Sequence, residues 1–297
     1  MAIHNNPIVK QSDISVKEKS KAIYNLIRPE LPLAGGICVV AGQIIVLHTL
    51  PTLFIGFMGF LTGFFISGAA MITNDYFDIE VDRINHPQRP LPSGKISKNE
   101  LRSITVLFTT AGFITAGLLG LVTLIFAIIV WFIAISYNWR FKEYGLLGNI
   151  MVGISVASFF IFGGASVGGL TNGLIWIFSF LAFIFDLGEE IAADAMDMVG
   201  DKERSAKTLA LLHGKQYALL ISVSLYTLFV VVSLIPIVIG WLSTLYLLIF
   251  LPVDTSIVYL SIKLYTSQTV EEGHRIIRLL YIILTIFVIA FVTISII

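Results

Sequence analysis

Apolar runs of about 20 residues recur from residue 31 to the end of the chain, separated alternately by short neutral turns and longer charged connections. That is the length at which a helix rising 1.5 Å per residue crosses roughly 30 Å of hydrocarbon. Nine such runs are legible, at 31–50, 53–73, 102–117, 120–138, 148–168, 173–193, 216–237, 240–259 and 277–296. The third and fourth nearly abut at Gly117 to Gly120. The two-residue alternation of half-buried strands is absent, and a backbone inside lipid has to satisfy its own hydrogen bonds within helices. The pattern predicts an all-α polytopic membrane protein with nine transmembrane helices: a cytoplasmic N-terminal segment over 1–30, then a single transmembrane domain over 31–297.

Composition agrees with the pattern. The chain is 57% hydrophobic and only 13% charged, with mean hydropathy +0.91, well outside the range of soluble domains. The first 30 residues are polar and carry no apolar stretch ahead of a small-residue cleavage site, so the first span is expected to direct insertion. The single cysteine, Cys38, excludes an intramolecular disulfide, and zero net charge argues against a nucleic-acid partner.

Charge placement adds orientation. All 19 Lys and Arg residues fall before the first span or in every second connection after it, including Lys10, Lys17, Lys19, Lys21 and Arg28 at the start. The alternate connections have none. By the positive-inside rule the N-terminus and the long loops lie in the cytoplasm and the C-terminus lies outside.

Against so few charges, the acidic residues carry an internal ruler. Asp75, Asp78 and Asp82 are spaced +3 and +4, and so are Asp194, Asp197 and Asp201, at a constant offset of 119 residues. Positions i, i+3 and i+7 share one helical face, so each triplet is expected to form a stripe of about 10 Å. Asn74 lies four residues before Asp78, and Glu190 and Asp186 extend the second stripe at four-residue steps. Like charges at this spacing cost a helix a few tenths of a kcal/mol each, rising to about a few kcal/mol near hydrocarbon. A lone triplet at a membrane edge reads as a solvated helix end; two matching triplets on one side read as a site. Carboxylates so placed suit Mg²⁺, which bridges protein oxygens to phosphates. Nearby cations, Arg83, Arg89 and Lys95 after the first stripe and Lys202, Arg204 and Lys207 after the second, suit a diphosphate leaving group. The substrate implied is a diphosphate at the membrane surface with its lipid tail in the bundle. An even number of spans separates the stripes, so the halves form a parallel repeat.

Other features read less sharply. Tyr137 and Lys142 end the fourth run, where aromatic belts and flanking cations are common, so spacing alone leaves them open. Asp254 is expected near the inner end of the eighth run, paired with Lys263 or meeting water. His86 and His213 lack metal-ligand spacing. Glycines near 35, 63, 163 and 168 are expected to permit close helix packing.

The segment Asn74-Asp-Tyr-Phe-Asp-Ile-Glu-Val-Asp82-Arg-Ile-Asn, continuing His86-Pro-Gln-Arg-Pro-Leu-Pro-Ser-Gly94, resembles the first signature of the UbiA superfamily of intramembrane prenyltransferases. That signature is matched by Asn74, Asp78 and Asp82. Glu190, Asp194, Asp197 and Asp201, with Lys207-Thr208 following, resemble the second, and Tyr137 with Lys142 resemble the loop motif after the fourth span. The resemblance implies Mg²⁺-dependent transfer of a prenyl group from an allylic diphosphate. Asn74, Asp75, Asp78, Asp82, Glu190, Asp194, Asp197 and Asp201 would hold metal and diphosphate. Lys142, Arg83, Arg89 and Lys207 would assist departure of the diphosphate, with Tyr137 near the allylic cation.

Within the superfamily the chain looks most like the archaeal branch that builds an ether-lipid precursor, which implies a geranylgeranyl donor and geranylgeranylglyceryl phosphate as acceptor. Glu189-Glu190 stand where that branch commonly has Arg-Glu, and Ala192-Ala193 replace bulkier or basic residues. An aromatic acceptor of quinone-type synthesis is therefore the alternative. A cation transporter is the competing class; its sites would lie near the midplane at broken helices, whereas these stripes lie at one surface. None of these motifs bears on oligomeric state.

Overall fold

The computed structural model describes residues 14–203 and 206–296, with the side chains of all but Ile84 and Asn85. The predicted cations Lys10 and Arg204 lie outside the described residues. Among the described residues the chain is helical throughout, with no strand. It opens with α1 (Val16–Ile27), α2 (Glu30–Leu47), α3 (Leu53–Phe77), the short α4 (Ile79–Asn85), α5 (Lys98–Leu119) and α6 (Leu121–Trp139). After a 3₁₀ turn (Phe141–Tyr144) come α7 (Leu146–Ser166), α8 (Gly173–Met196) and the short α9 (Met198–Glu203) and α10 (Leu209–His213). Then follow α11 (Lys215–Val238), a 3₁₀ turn (Thr244–Tyr246), α12 (Leu247–Tyr265) and α13 (Val270–Ile296).

A long helix occupies each of the nine apolar runs. Eight of them, α2, α3, α5, α6, α7, α11, α12 with its preceding turn, and α13, are long and apolar enough to cross a membrane. The remaining one, α8, has 24 residues, but every 18-residue stretch of it holds at least three of Asp186, Glu189, Glu190 and Asp194. Helix starts are set locally. Ser15 and Glu18 form a reciprocal capping box at α1, as do Ser97 and Glu100 at α5, while Thr52 and Asn172 cap α3 and α8.

Two expectations change here. The eighth run is displaced: Gly240 adopts φ +77°, residues 244–246 form the 3₁₀ turn, and α12 begins only at Leu247. Asp254 thus lies mid-helix rather than near an end, buried, accepting a 2.8 Å hydrogen bond from Ser233 of α11 instead of meeting Lys263. The N-terminal segment is also more than a polar tail, since α1 packs on α3 through Ala22 and Leu26.

In space α3 packs on α2 and α5, α7 on α2 and α8, and α8 on α11. Then α13 returns to α2 and α8, closing the order. The larger apolar core joins α8, α11, α12 and α13 around Phe178, Phe185, Phe229, Phe250 and Phe287. Large apolar side chains such as Leu118, Phe132, Val231 and Leu248 face outward, as lipid-facing positions do.

Glycine permits the closest crossings. A Cβ on Gly163 of α7 would lie 2.2 Å from the Val39 carbonyl oxygen of α2, and one on Gly63 2.8 Å from that of Gly35. Gly168 differs from expectation: it has open space and φ +74°, so it serves a turn rather than a contact. Gly163→Ala is expected to lower stability by about 1–3 kcal/mol through overpacking. Gly200→Ala, with nothing within 4 Å, should stay within about 0.5 kcal/mol. Thermal unfolding of the detergent-solubilised protein reads both.

Candidate active site

The ruler of the sequence reappears as a repeated bend. Helix α3 stops at Phe77, Asp78 caps it, and α4 starts at Ile79; α8 stops at Met196, Asp197 caps it, and α9 starts at Met198. Each event recurs at the 119-residue offset. Asp78 and Asp197 take φ/ψ of −86°/2° and −98°/16°, in the sparsely allowed bridge region. The backbone bonds recur too. The Asp78 N–H donates to the Asn74 carbonyl (2.9 Å) and the Asp82 N–H to that of Asp78 (2.8 Å). In the second copy the Asp197 N–H donates to Ala193 (2.9 Å) and the Asp201 N–H to Asp197 (3.0 Å). The straight stripe expected from i, i+3, i+7 is therefore corrected: the middle carboxylate of each triplet sits at a helix break.

These breaks border one cavity of about 490 Å³, lined from the first half by Phe77, Asp78 and Val81 and from the second by Glu190, Asp194, Asp197 and Asp201. Between them come Tyr137, Asn138, Lys142, Glu143 and Asn149 from the α6–α7 connection and its flanks. The second triplet thus faces the cavity whole, with Glu190. The first contributes Asp78 alone. Asp75, only 1% exposed, is ion-paired to Arg28 at the left-handed end of α1 (φ +48°). Asp82, also buried, accepts with both carboxylate oxygens from one terminal nitrogen of Arg89, Nη1, at 2.7 and 2.6 Å. Neither lines the cavity, because each carboxylate is met by a guanidinium of the polypeptide itself.

The cations divide in the same way. Lys142 lines the cavity and ion-pairs with Asp78. Arg83 pairs instead with Glu80 on its own short helix at 2.8 Å, largely exposed and away from the cavity. Arg89 is spent on Asp82. The Lys207 side chain is exposed and off the cavity wall, although its backbone N–H reaches the Glu143 carbonyl (3.0 Å) and its own carbonyl closes on Gly145 (φ +56°). Lys19 donates to the Lys95 carbonyl at 2.9 Å, and Lys202 is exposed outside the cavity.

Two asparagines brace the site, one for each half. Asn138, buried near the end of α6, donates to the Ala70 carbonyl of α3 (3.0 Å) and meets the Asn74 amide at 3.1 Å. With its amide turned over, Asn74 instead donates to Asp78 and accepts from Lys142, both at 3.1 Å, and gives up its donation to Asn138. Asn149 of α7 donates to Asp194 at 2.8 Å. His274 of α13 meets Asp197 at 3.0 Å. Spacing rules miss all three of these residues. The asparagines do leave a trace, as amides inside otherwise apolar runs, whereas His274 belongs to no motif.

Among the described residues no three His, Cys, Asp or Glu side chains converge closely enough to cage a metal ion. The donor set nonetheless fits Mg²⁺, which is usually held by one or two carboxylates together with water and substrate phosphates. Asp78 on one wall and Asp194, Asp197 and Asp201 on the other offer that kind of partial shell.

The UbiA prenyltransferase family model matches residues 32–293, nearly the whole chain. The chain belongs to the UbiA prenyltransferase family. Among the similar proteins, the digeranylgeranylglyceryl phosphate synthase of Thermococcus kodakarensis is 32% identical over 275 residues, covering 93% of this chain and 98% of the relative. A structure solved in work on digeranylgeranylglyceryl phosphate synthase in membranes is 29% identical, with TM-score 0.78 over 94% of this chain and 99% of that one. A UbiA homologue from Archaeoglobus fulgidus bound to GPP and Mg²⁺ shares the fold at TM-score 0.68 and 19% identity, covering 93% and 99%. Membership in the UbiA family makes the chain a multi-pass membrane enzyme and sets the transporter reading aside.

Within this UbiA site, Arg28 and Asp75 act as a partner pair. Removing one member leaves a buried charge unpaired, at about 2–3 kcal/mol once the partial exposure of Arg28 is discounted. Arg28→Met is expected to lower thermal stability by that amount, and adding Asp75→Leu should recover most of it.

Proposed function

We propose that the protein catalyses Mg²⁺-dependent transfer of a geranylgeranyl group from its diphosphate to geranylgeranylglyceryl phosphate, a step of ether-lipid synthesis. The observation that carries this reading is one cavity that gathers Asp78 and Lys142 from one half with Glu190, Asp194, Asp197 and Asp201 from the other, where long apolar helices end. The synthase of Thermococcus kodakarensis, matched along almost its full length, supports the substrate pair. All nine long helices, α8 included, span the membrane as a single domain over 31–297. The N-terminus and the cavity face the cytoplasm, as the placement of the cations argues.

Asp78, Asp194, Asp197 and Asp201 are the residues that would hold Mg²⁺, with Glu190 completing the oxygen set, while Asn74, off the cavity wall, would orient Asp78 and Lys142; when bound, the metal would neutralise diphosphate charge. Asp75 and Asp82 are assigned instead to holding Arg28 and Arg89. Lys142 donates to the diphosphate oxygens as the C1–O bond breaks, and Tyr137 lies against the developing allylic cation. The acceptor hydroxyl oxygen forms the new bond to C1. Its proton passes to a cavity carboxylate or to the released diphosphate. Apolar helix walls keep water from the cation. Glu189 does not line the cavity, so its departure from the expected Arg-Glu pattern gives the aromatic acceptor no support at the site.

Purified protein in lipid nanodiscs, with labelled geranylgeranyl diphosphate and either geranylgeranylglyceryl phosphate or an aromatic acid, tests the assignment. Product should form with the glycerol phosphate, stop on chelation and return with Mg²⁺. Asp78→Ala or Asp194→Asn should reduce turnover by about 100-fold or more. Product with the aromatic acid alone would transfer the assignment to quinone-type synthesis.

A further inference from the structure

Among the described residues, the cavity wall holds two positive side chains, and they are not equivalent. Lys142 reaches back to the bend of the first half and ion-pairs with Asp78. Arg140 is the residue on which α6 ends. Its backbone N–H donates to the Ser136 carbonyl at 3.0 Å, and its side chain stands exposed at the cavity rim. No carboxylate of the described residues forms an ion pair with it, although Asp78, Glu143, Glu190, Asp194, Asp197 and Asp201 line the same space. The arginines around the first bend differ in this respect: Arg28 meets Asp75, Arg83 meets Glu80 and Arg89 meets Asp82.

The proposed reaction brings two anions into this one cavity. The diphosphate of the donor belongs with the carboxylates through Mg²⁺, and with Lys142. The acceptor carries a phosphate of its own, a monoester with a charge of about −1.5 to −2 near neutral pH. That phosphate is only a few bonds from the hydroxyl that attacks C1, so it has to share the cavity while the new bond forms. Every carboxylate on the wall repels it, and the metal is engaged by the diphosphate. A guanidinium suits such a group, because its planar fork offers two parallel N–H donors to phosphate oxygens. Arg140 has the required charge, lies on the same wall and is matched to no described carboxylate.

We propose that Arg140 binds the phosphate of the acceptor, and so selects a phosphorylated glycerol ether over the uncharged alcohol. This rests on the proposed prenyl transfer. The acceptor then sits with its phosphate toward the rim and its hydroxyl directed inward, and the two anions of the reaction are held by different cations.

Initial rates in nanodiscs of zwitterionic lipid, with each substrate varied against a saturating level of the other, test the assignment. Arg140→Gln is expected to raise the KM for geranylgeranylglyceryl phosphate about tenfold or more, and that for geranylgeranyl diphosphate by less than about threefold, since one charged hydrogen bond to the acceptor is lost. Wild-type protein should prefer the phosphorylated acceptor to geranylgeranylglycerol, and the variant should lose most of that preference. Arg140→Lys keeps the charge without the fork and should fall between the two, and it carries the test if the glutamine variant does not fold. A donor KM that rises as much as the acceptor KM would assign Arg140 to the diphosphate and overturn the proposal. Unchanged constants for both substrates would overturn it as well, with the transferase reading left standing. Wild-type protein that prenylates neither glycerol ether would overturn the reading on which the proposal rests.

Discussion

A carboxylate at the end of an apolar helix has to be met by a cation, by donors or by a polar cavity, at a cost of about a few kcal/mol where it is not. Much of this structure follows from that constraint. Asp75 draws Arg28 across from α1, and so fixes the N-terminal segment to the first bend. Asp82 holds Arg89, which organises the loop after α4. Lys142 reaches back from the turn after α6 to Asp78, and Asn149 donates to Asp194 from the start of α7. The α6–α7 connection is therefore the bridge between halves, with polar groups that satisfy one acid of each.

The two halves repeat in backbone and differ in charge. Helix break, short helix and hydrogen bonds recur at the same offset, yet the first half neutralises Asp75 and Asp82 within the polypeptide while the second turns Glu190, Asp194, Asp197 and Asp201 to the cavity. Negative potential concentrates on the α8 side, facing Lys142. In the proposed transfer, a diphosphate entering with metal would meet carboxylates on one wall and an ammonium on the other, an asymmetry suited to separating charge as the leaving group departs.

Much of this was legible in the sequence, and the parts that were not have physical reasons. Apolar runs of the right length identify long helices because lipid permits little else. The eighth run went astray because Gly240 to Tyr246 is apolar enough to read as helix while it folds as turns. α1 was overlooked although Ser15-Val-Lys-Glu18 carries a capping box, since a polar segment beside a hydropathy signal is easily read as a tail. The spacing of the acids was plain, but the bend at Asp78 and Asp197 was not. The i, i+3, i+7 argument presumes an unbroken helix, and neither bend falls at a proline or a glycine. Arg28 with Asp75 is a pairing across 47 positions, which no local pattern records.

The cavity stands on three helices that meet it at their polar ends. α3 and α6 both run toward the carboxylates and α7 runs away, so all three meet the cavity at the same polar edge. The bend at Asp78 sets which carboxylate of the first half reaches the cavity. A shift of α3 by one residue would move Asp78 relative to Lys142 by about 1.5 Å and undo their pairing. Glycine at 63 and 163 holds that register where a side chain would force the helices apart, so the packing of the bundle is itself part of the geometry of the site.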